Sequence, residues 1–153
     1  MGDYILKREV QIILKSRHDR AGEAPEISEI TARGFYEITA DGIHRIIYDE
    51  SQQVQDEKGN IVTVNAQNTV QIFEQKVEIT RSGDATSHMI FSQGNTHPLK
   101  YNTPYGIIEM EITTNNLDKS INEKVIRLKV DYDLNMENQT LSRSSIEYNI
   151  DIL

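Results

Sequence analysis

"VIRLKVDYDLN", Val125 to Asn135, interleaves two kinds of residue. Ile126, Leu128, Val130, Tyr132 and Leu134 take one parity; Arg127, Lys129, Asp131 and Asp133 take the other. Successive side chains of a strand point to opposite faces, so this stretch has one buried face and one wet face. Such strands belong to antiparallel sheets that pack on one side only. "SIEYNIDIL" (145–153) repeats the pattern, with Ile146, Tyr148, Ile150 and Ile152 set against Glu147, Asn149 and Asp151.

The alternation extends backwards along the chain, while helical periodicity is nearly absent. "VEITR" places Val77, Ile79 and Arg81 on one parity, and "REVQIILK" does the same for Val10, Ile12 and Leu14. "IHRIIYDE" and "SHMIFSQ" carry apolar residues on both parities, so either face of those strands is open. Gly34, inside "ITARGFYEIT", marks a bulge or a sharp bend.

Turn chemistry separates these segments. Asp41-Gly42 is the strongest hairpin signal and predicts a type I′ turn, which needs positive φ at both central residues. Lys58-Gly59-Asn60, Ser82-Gly83-Asp84, Gln93-Gly94-Asn95 and Glu137-Asn138 are the others. The polar stretches 19–29 and 114–124 are the longest connections, each with room for one helical turn.

The spacing predicts strands near 4–17, 27–39, 43–50, 61–73, 76–82, 86–93, 103–114, 123–135 and 141–152. Short connections favour an up-and-down meander, and closing it removes the two sticky edges. The expected fold is all-β: a single antiparallel up-and-down barrel of eight or nine strands over residues 1–153, with a β-sandwich as the alternative. Within "KYNTPYGIIEMEITTN" (100–115), Pro104 suits a strand's entrance and Tyr105 sits near one rim.

Composition narrows the function classes. The chain has 153 residues, no cysteine and a net charge of −8. Disulfides and thiolate metal sites are therefore excluded. Sixteen Lys and Arg residues are scattered along the chain, whereas binding a phosphate backbone needs a concentrated basic surface, so nucleic acid is not an expected partner. The opening "MGDYILKREV" lacks the pattern of a secretory signal, and no apolar run reaches the roughly 20 residues of a membrane-spanning helix. The expectation is a soluble, cytoplasmic protein that does not bind membranes.

Several segments taken in order, "GIHRIIYDE" (42–50), "VEITRSG" (77–83), "MIFSQGN" (89–95) and "YNTPYGIIEMEI" (101–112), resemble the YwiB-like uncharacterised β-barrel proteins of bacteria. The resemblance runs over almost the whole chain and implies a calycin-type barrel, similar in shape to lipocalins and fatty-acid-binding proteins. It implies a bacterial, intracellular setting and supplies no catalytic residue, because the family carries a domain-of-unknown-function label. The chain has no tryptophan, so it lacks the Gly-x-Trp signature of true lipocalins.

An eight-stranded barrel has room inside for packed side chains or one small ligand. Arg81 follows the Val77 and Ile79 parity, so it enters the barrel if that parity faces inward. There it holds an anionic ligand group through its fork or pairs with an internal carboxylate. Tyr132 and Tyr148 sit on inward parities, while Tyr48 and Tyr105 reach the rim. Their hydroxyls orient an amphipathic ligand or satisfy backbone groups in an ordinary core.

Asp49 and Glu50 are adjacent and so point to opposite faces, which rules out a joint grip on one substrate. Asp131 and Asp133 share the wet face and read as cross-strand charge pairs. His18, His44, His88 and His97 show no zinc spacing, although His44 and His88 have positions from which they can meet in space. No nucleophile motif or phosphate loop is present.

The reading is a non-enzymatic binding protein for a small apolar or amphipathic ligand, without cofactor or metal. The alternative is an interaction module with a packed, ligand-free barrel that self-associates as a homodimer. Ile13 and Ile107, apolar residues on otherwise polar faces, motivate that alternative.

Overall fold

The structure, a computed structural model, describes residues 7–153, and of Gln52 and Val54 only the backbone. The expected start of the first strand at residue 4 lies outside the described residues. Ten strands follow in order: β1 (Arg8–Asp19), β2 (Glu26–Ile38), β3 (His44–Gln55), β4 (Ile61–Ile72), β5 (Val77–Gly83), β6 (Thr86–Phe91), β7 (Thr96–Thr103), β8 (Gly106–Ile121), β9 (Val125–Met136) and β10 (Gln139–Ile152). Each pairs antiparallel with its chain neighbours, and β1 pairs with β10 from Val10–Ile152 to Asp19–Arg143, closing the barrel.

The count is ten strands, not eight or nine. The extra strand is β7, "THPLKYNT", where Leu99 and Tyr101 alone carry the apolar alternation and Pro98 masks it. The stretch around Pro104 is the tip of a hairpin, with Thr103 opposite Gly106. The polar stretch 114–121 is no helical turn but the continuation of β8. A bulge between Thr114 and Asn116 shifts the register there, so Leu117 and Ile121 face Val130 and Ile126.

Two turns depart from expectation in opposite senses. At Asp41-Gly42 only the glycine has positive φ, at 82°, and the Gly42 N–H donates to the Thr39 carbonyl at 2.9 Å. That is not a type I′ turn. Glu137 and Asn138, with φ of 50° and 65°, form the two-residue loop in which both positions are left-handed.

Outside the bulged stretches of β8 and β10, each strand keeps one inward parity. His44, Ile46, Tyr48 and Glu50 share it in β3, and Ser87, Met89 and Phe91 share it in β6, which resolves both ambiguous strands. One end of the barrel is filled by apolar side chains, among them Val10, Ile12, Ile46, Ile72, Val77, Phe91, Ile126 and Ile150, all essentially without solvent exposure. The Lys119 ammonium donates to the Phe73 and Glu74 carbonyls across this end. Beside it the Tyr36 hydroxyl and His44 Nδ1 lie 2.6 Å apart. The end is thus plugged.

The opposite end is built differently. β2 and β3 pair only from Ile38–His44 to Gly34–Tyr48 and then part. Gly34 stands at the parting point, where an added Cβ would lie 2.3 Å from the Ile47 carbonyl oxygen and 2.9 Å from the Tyr48 Cβ. The expected sharp bend is therefore a close strand approach that only glycine permits. Beyond it, Ser51–Gln55 and Ile61–Asn65 pair with each other, while the β4–β5 ladder stops at Ala66–Gly83. The β6–β7 ladder is also short, holding at Thr86–Asn102 and Ser87–Tyr101.

Candidate functional site

Packing does not continue to the parted end. A cavity of about 710 Å³ occupies the barrel there, between the plugged core and the mouth. Its size falls in the range of small-molecule pockets, roughly 300–1,000 Å³. Aliphatic and thioether side chains make most of its wall, including Leu14, Ile30, Ile79, Met89, Leu99 and Met110. Methionine adapts its shape to irregular contents more readily than branched side chains do.

A row of polar residues crosses that wall. Tyr48 on β3 faces Asn68 on β4, Asn68 faces Arg81 on β5, Arg81 faces Ser87 on β6, and Ser87 faces Tyr101 on β7. All five line the cavity. The row exists because each residue holds an inward position at the same level of five consecutive strands. Local alternation displays one strand's faces but not this alignment, which requires the register.

Arg81 is inside, as its parity predicts, with 29% of its side chain exposed. Its Nη1 donates to Glu50 Oε2 at 2.6 Å, and the Asn68 amide reaches the same oxygen at 3.4 Å. The internal carboxylate is Glu50, whose side chain is 11% exposed. Pairing of this sort is what a guanidinium drawn from water requires. Glu50 and Asp49 part company as expected: Glu50 lines the cavity, and exposed Asp49 does not.

The Tyr48 and Tyr148 hydroxyls meet 2.9 Å apart at the cavity wall, and each residue is 3% exposed. Burial pushes the Tyr48 phenol up to about 12 and the Tyr148 phenol well above its ordinary value. Tyr132 also lines the cavity, and burial raises its hydroxyl as well. Tyr105 does not join them. It is 91% exposed at the β7–β8 turn, because the hairpin tip projects it beyond the wall, and Tyr101 takes the cavity position instead.

A second polar group lies on β1 and β10. His18 Nδ1 and the Ser144 hydroxyl are 2.7 Å apart, and the Ser142 hydroxyl lies 3.2 Å from Ser144. Burial lowers the His18 pKa; Glu26 and Asp19 oppose it to a smaller extent, and Arg20 adds to it. His44 and His88 do not meet: His44 packs on Tyr36, whereas His88 Nε2 contacts Glu78 at 2.7 Å on the outside. Among the described residues no group of three His, Asp or Glu side chains is placed to hold a metal ion.

Sequence reasoning found Arg81, Tyr48, Tyr132 and Tyr148, and the structure brings all four to one cavity. It missed Glu50, Asn68, Ser87, Tyr101 and His18. Each of these is a polar residue on an inward parity, and that was the available signal.

These features define a class: closed ten-stranded up-and-down barrels, plugged at one end and hollow at the other. The chain belongs to the family described as Domain of unknown function (DUF1934), which matches residues 12–150. The Uncharacterized beta-barrel protein YwiB of Bacillus subtilis (strain 168) is 24% identical over 125 residues, covering 80% of this chain and 81% of that protein. The crystal structure of the Bacillus subtilis ywiB protein superposes with a TM-score of 0.77 at 18% identity, covering 97% of this chain and 95% of that one. That likeness is one of fold. The structure of Ail, the attachment invasion locus protein of Yersinia pestis, aligns at 6% identity with a TM-score of 0.36 over 95% of this chain and 97% of that one, and carries no argument. The YwiB-like resemblance read from the sequence is thus borne out.

Proposed function

We propose that this protein is a calycin-like carrier that holds one small apolar or amphipathic molecule inside its barrel. The observation that carries the reading is the one-ended cavity of about 710 Å³, apolar in most of its wall and crossed by one polar row. Sites that bind small molecules combine an apolar wall with a few placed polar groups. The row offers an amphiphile a place for its polar end, and the deeper Ile79, Met89 and Leu99 a place for the rest.

The setting proposed is the cytoplasm of a bacterium, without a membrane role. The charged outer parity of β9 and β10, with Arg127, Lys129, Asp131, Glu147 and Asp151, supports the second part, because a lipid-spanning barrel turns an apolar band outward.

Titration with N-phenyl-1-naphthylamine, an uncharged probe that fluoresces in apolar surroundings, tests the proposal. Wild-type protein is expected to give saturable enhancement at one probe per chain. Met89→Trp, which sets a bulkier ring in the cavity, is expected to weaken it while leaving the far-ultraviolet circular dichroism unchanged. No enhancement in the wild type, or equal enhancement in a folded M89W variant, overturns the reading.

Self-association is the second reading, favoured by exposed apolar residues near the mouth. Ile61, Tyr105 and Ile107 are 68%, 91% and 65% exposed. It does not need the packed barrel first attached to it. Sedimentation showing a monomer at all concentrations removes it.

A further inference from the structure

We infer that the cavity takes an amphiphile bearing a single carboxylate, received by Arg81, Ser87 and Tyr101; this rests on the carrier reading above and adds the headgroup to it. The three residues are consecutive cross-strand partners on β5, β6 and β7, and all line the cavity. Their hydrogen-bonding state points to the chemistry. A guanidinium has five N–H donors. Among the described residues Arg81 engages one nitrogen, Nη1, with Glu50, and neither the Ser87 nor the Tyr101 hydroxyl has a side-chain partner. Three adjacent side chains therefore present donors toward the cavity.

On this wall one Glu50 oxygen is already engaged: Oε2 receives both Arg81 and Asn68. A ligand group rich in acceptors complements what remains, and a planar carboxylate fits the guanidinium fork with two parallel bonds.

Charge decides between acceptor groups. Arg81 and His18 are the basic side chains of the cavity, and Glu50 is its acidic one. Glu50 offsets Arg81, and burial holds His18 toward its neutral form. A carboxylate adds one charge to the neutral Arg81–Glu50 pair and is held by the N–H donors that Glu50 leaves over. The second charge of a phosphate monoester meets no further cation, and desolvating it unpaired is costly. An alcohol leaves the fork half-filled.

Three ligands of equal chain length separate these cases: dodecanoate, 1-dodecanol and dodecyl phosphate, each displacing N-phenyl-1-naphthylamine from the full chain. Dodecanoate is expected to displace the probe at a concentration about tenfold or more below that of dodecanol, the gain typical of a charge-assisted bond. Dodecyl phosphate is expected to do no better than dodecanol. Arg81→Met alone strands the Glu50 charge, so the variant used is Glu50→Gln with Arg81→Met. It is expected to bind acid and alcohol alike. Ser87→Ala with Tyr101→Phe removes no charge and is expected to cut the acid preference about threefold or more.

Equal displacement by dodecanoate and dodecanol in wild type overturns the carboxylate inference and leaves the carrier reading standing. An acid preference that survives in both double variants also overturns it. Failure of the probe to bind wild-type protein at all overturns the carrier reading as well.

Discussion

Tyr48 and Tyr148 share a hydrogen bond of 2.9 Å, with both residues 3% exposed, and a double-mutant cycle at this pair tests how the cavity floor is held. Tyr148→Phe keeps the ring and removes one hydroxyl, leaving the Tyr48 hydroxyl without its partner. A buried polar group so stranded costs about 1–3 kcal/mol. Tyr48 and Tyr148 are equally shielded from solvent, so the cost belongs near the middle of that range, at about 1.5 kcal/mol. Tyr48→Phe strands the Tyr148 hydroxyl in the same way, also at about 1.5 kcal/mol.

The double variant has neither hydroxyl and strands none. Replacing both partners by apolar groups of the same shape is nearly neutral, so its stability is expected within about 0.5 kcal/mol of wild type. Additivity would give about 3 kcal/mol, and the difference of about 2.5 kcal/mol is the coupling. Urea unfolding followed by far-ultraviolet circular dichroism measures all four proteins, and the chain's lack of tryptophan leaves that signal free of a reporter change. For a domain of this size 1 kcal/mol moves Tm by about 2–4 °C, so a thermal scan also resolves the single variants. A double variant destabilised by the sum of the singles refutes the pairing and means that each hydroxyl has its own partner.

Two further outcomes are expected. Gly34→Ala brings a methyl group 2.3 Å from the Ile47 carbonyl oxygen and should cost more than about 3 kcal/mol or prevent folding, while Gly59→Ala, with open space at φ 80°, should cost only about 1 kcal/mol; thermal unfolding of the two variants compares them. Stability should also fall at both pH extremes. Tyr36, Tyr48, Tyr132 and Tyr148 have raised pKa values, so their contribution is whole below the ordinary value of 10.0 and is lost as pH rises, for Tyr48 toward about 12. His18 and His44 have lowered values, so theirs is whole above 6.5 and is lost as pH falls below it. Phenolate absorbance and Tm across the pH range check both limbs. A flat acid limb, or tyrosines that all ionise together at the free-phenol value, contradicts the burial described.

How much of this was legible beforehand depends on what local alternation can carry. β9 and β10 were readable because five and four apolar residues respectively recur at every second position there. β7 was not, because an eight-residue strand with Pro98 and two apolar inward residues falls below what periodicity detects. The second half of β8 was hidden by the bulge at Thr114–Asn116, which breaks the period at the point where a reader would end the strand. The turn at Asp41-Gly42 misled for a different reason: the dipeptide suits several turns, and the longer loop needs positive φ at the glycine alone.

The cavity residues show where parity becomes informative about function. On a strand with one wet face, a polar residue on the wet parity says nothing, since solvent explains it. A polar residue on the inward parity has no solvent to explain it and must have a partner, a cavity or both. Arg81 was noticed on that ground. Glu50 and Ser87 obey the same rule, but their inward parity was concealed by apolar neighbours on the outer face, such as Ile47 beside Tyr48 and Ile90 beside Met89. Register removes the concealment: once Val77 and Ile79 are fixed inward, pairing forces Asn68 and Ser87 to the same side as Arg81. The polar row is therefore a property of strand alignment rather than of any one segment, and a site of this kind is found by reading across the sheet instead of along the chain.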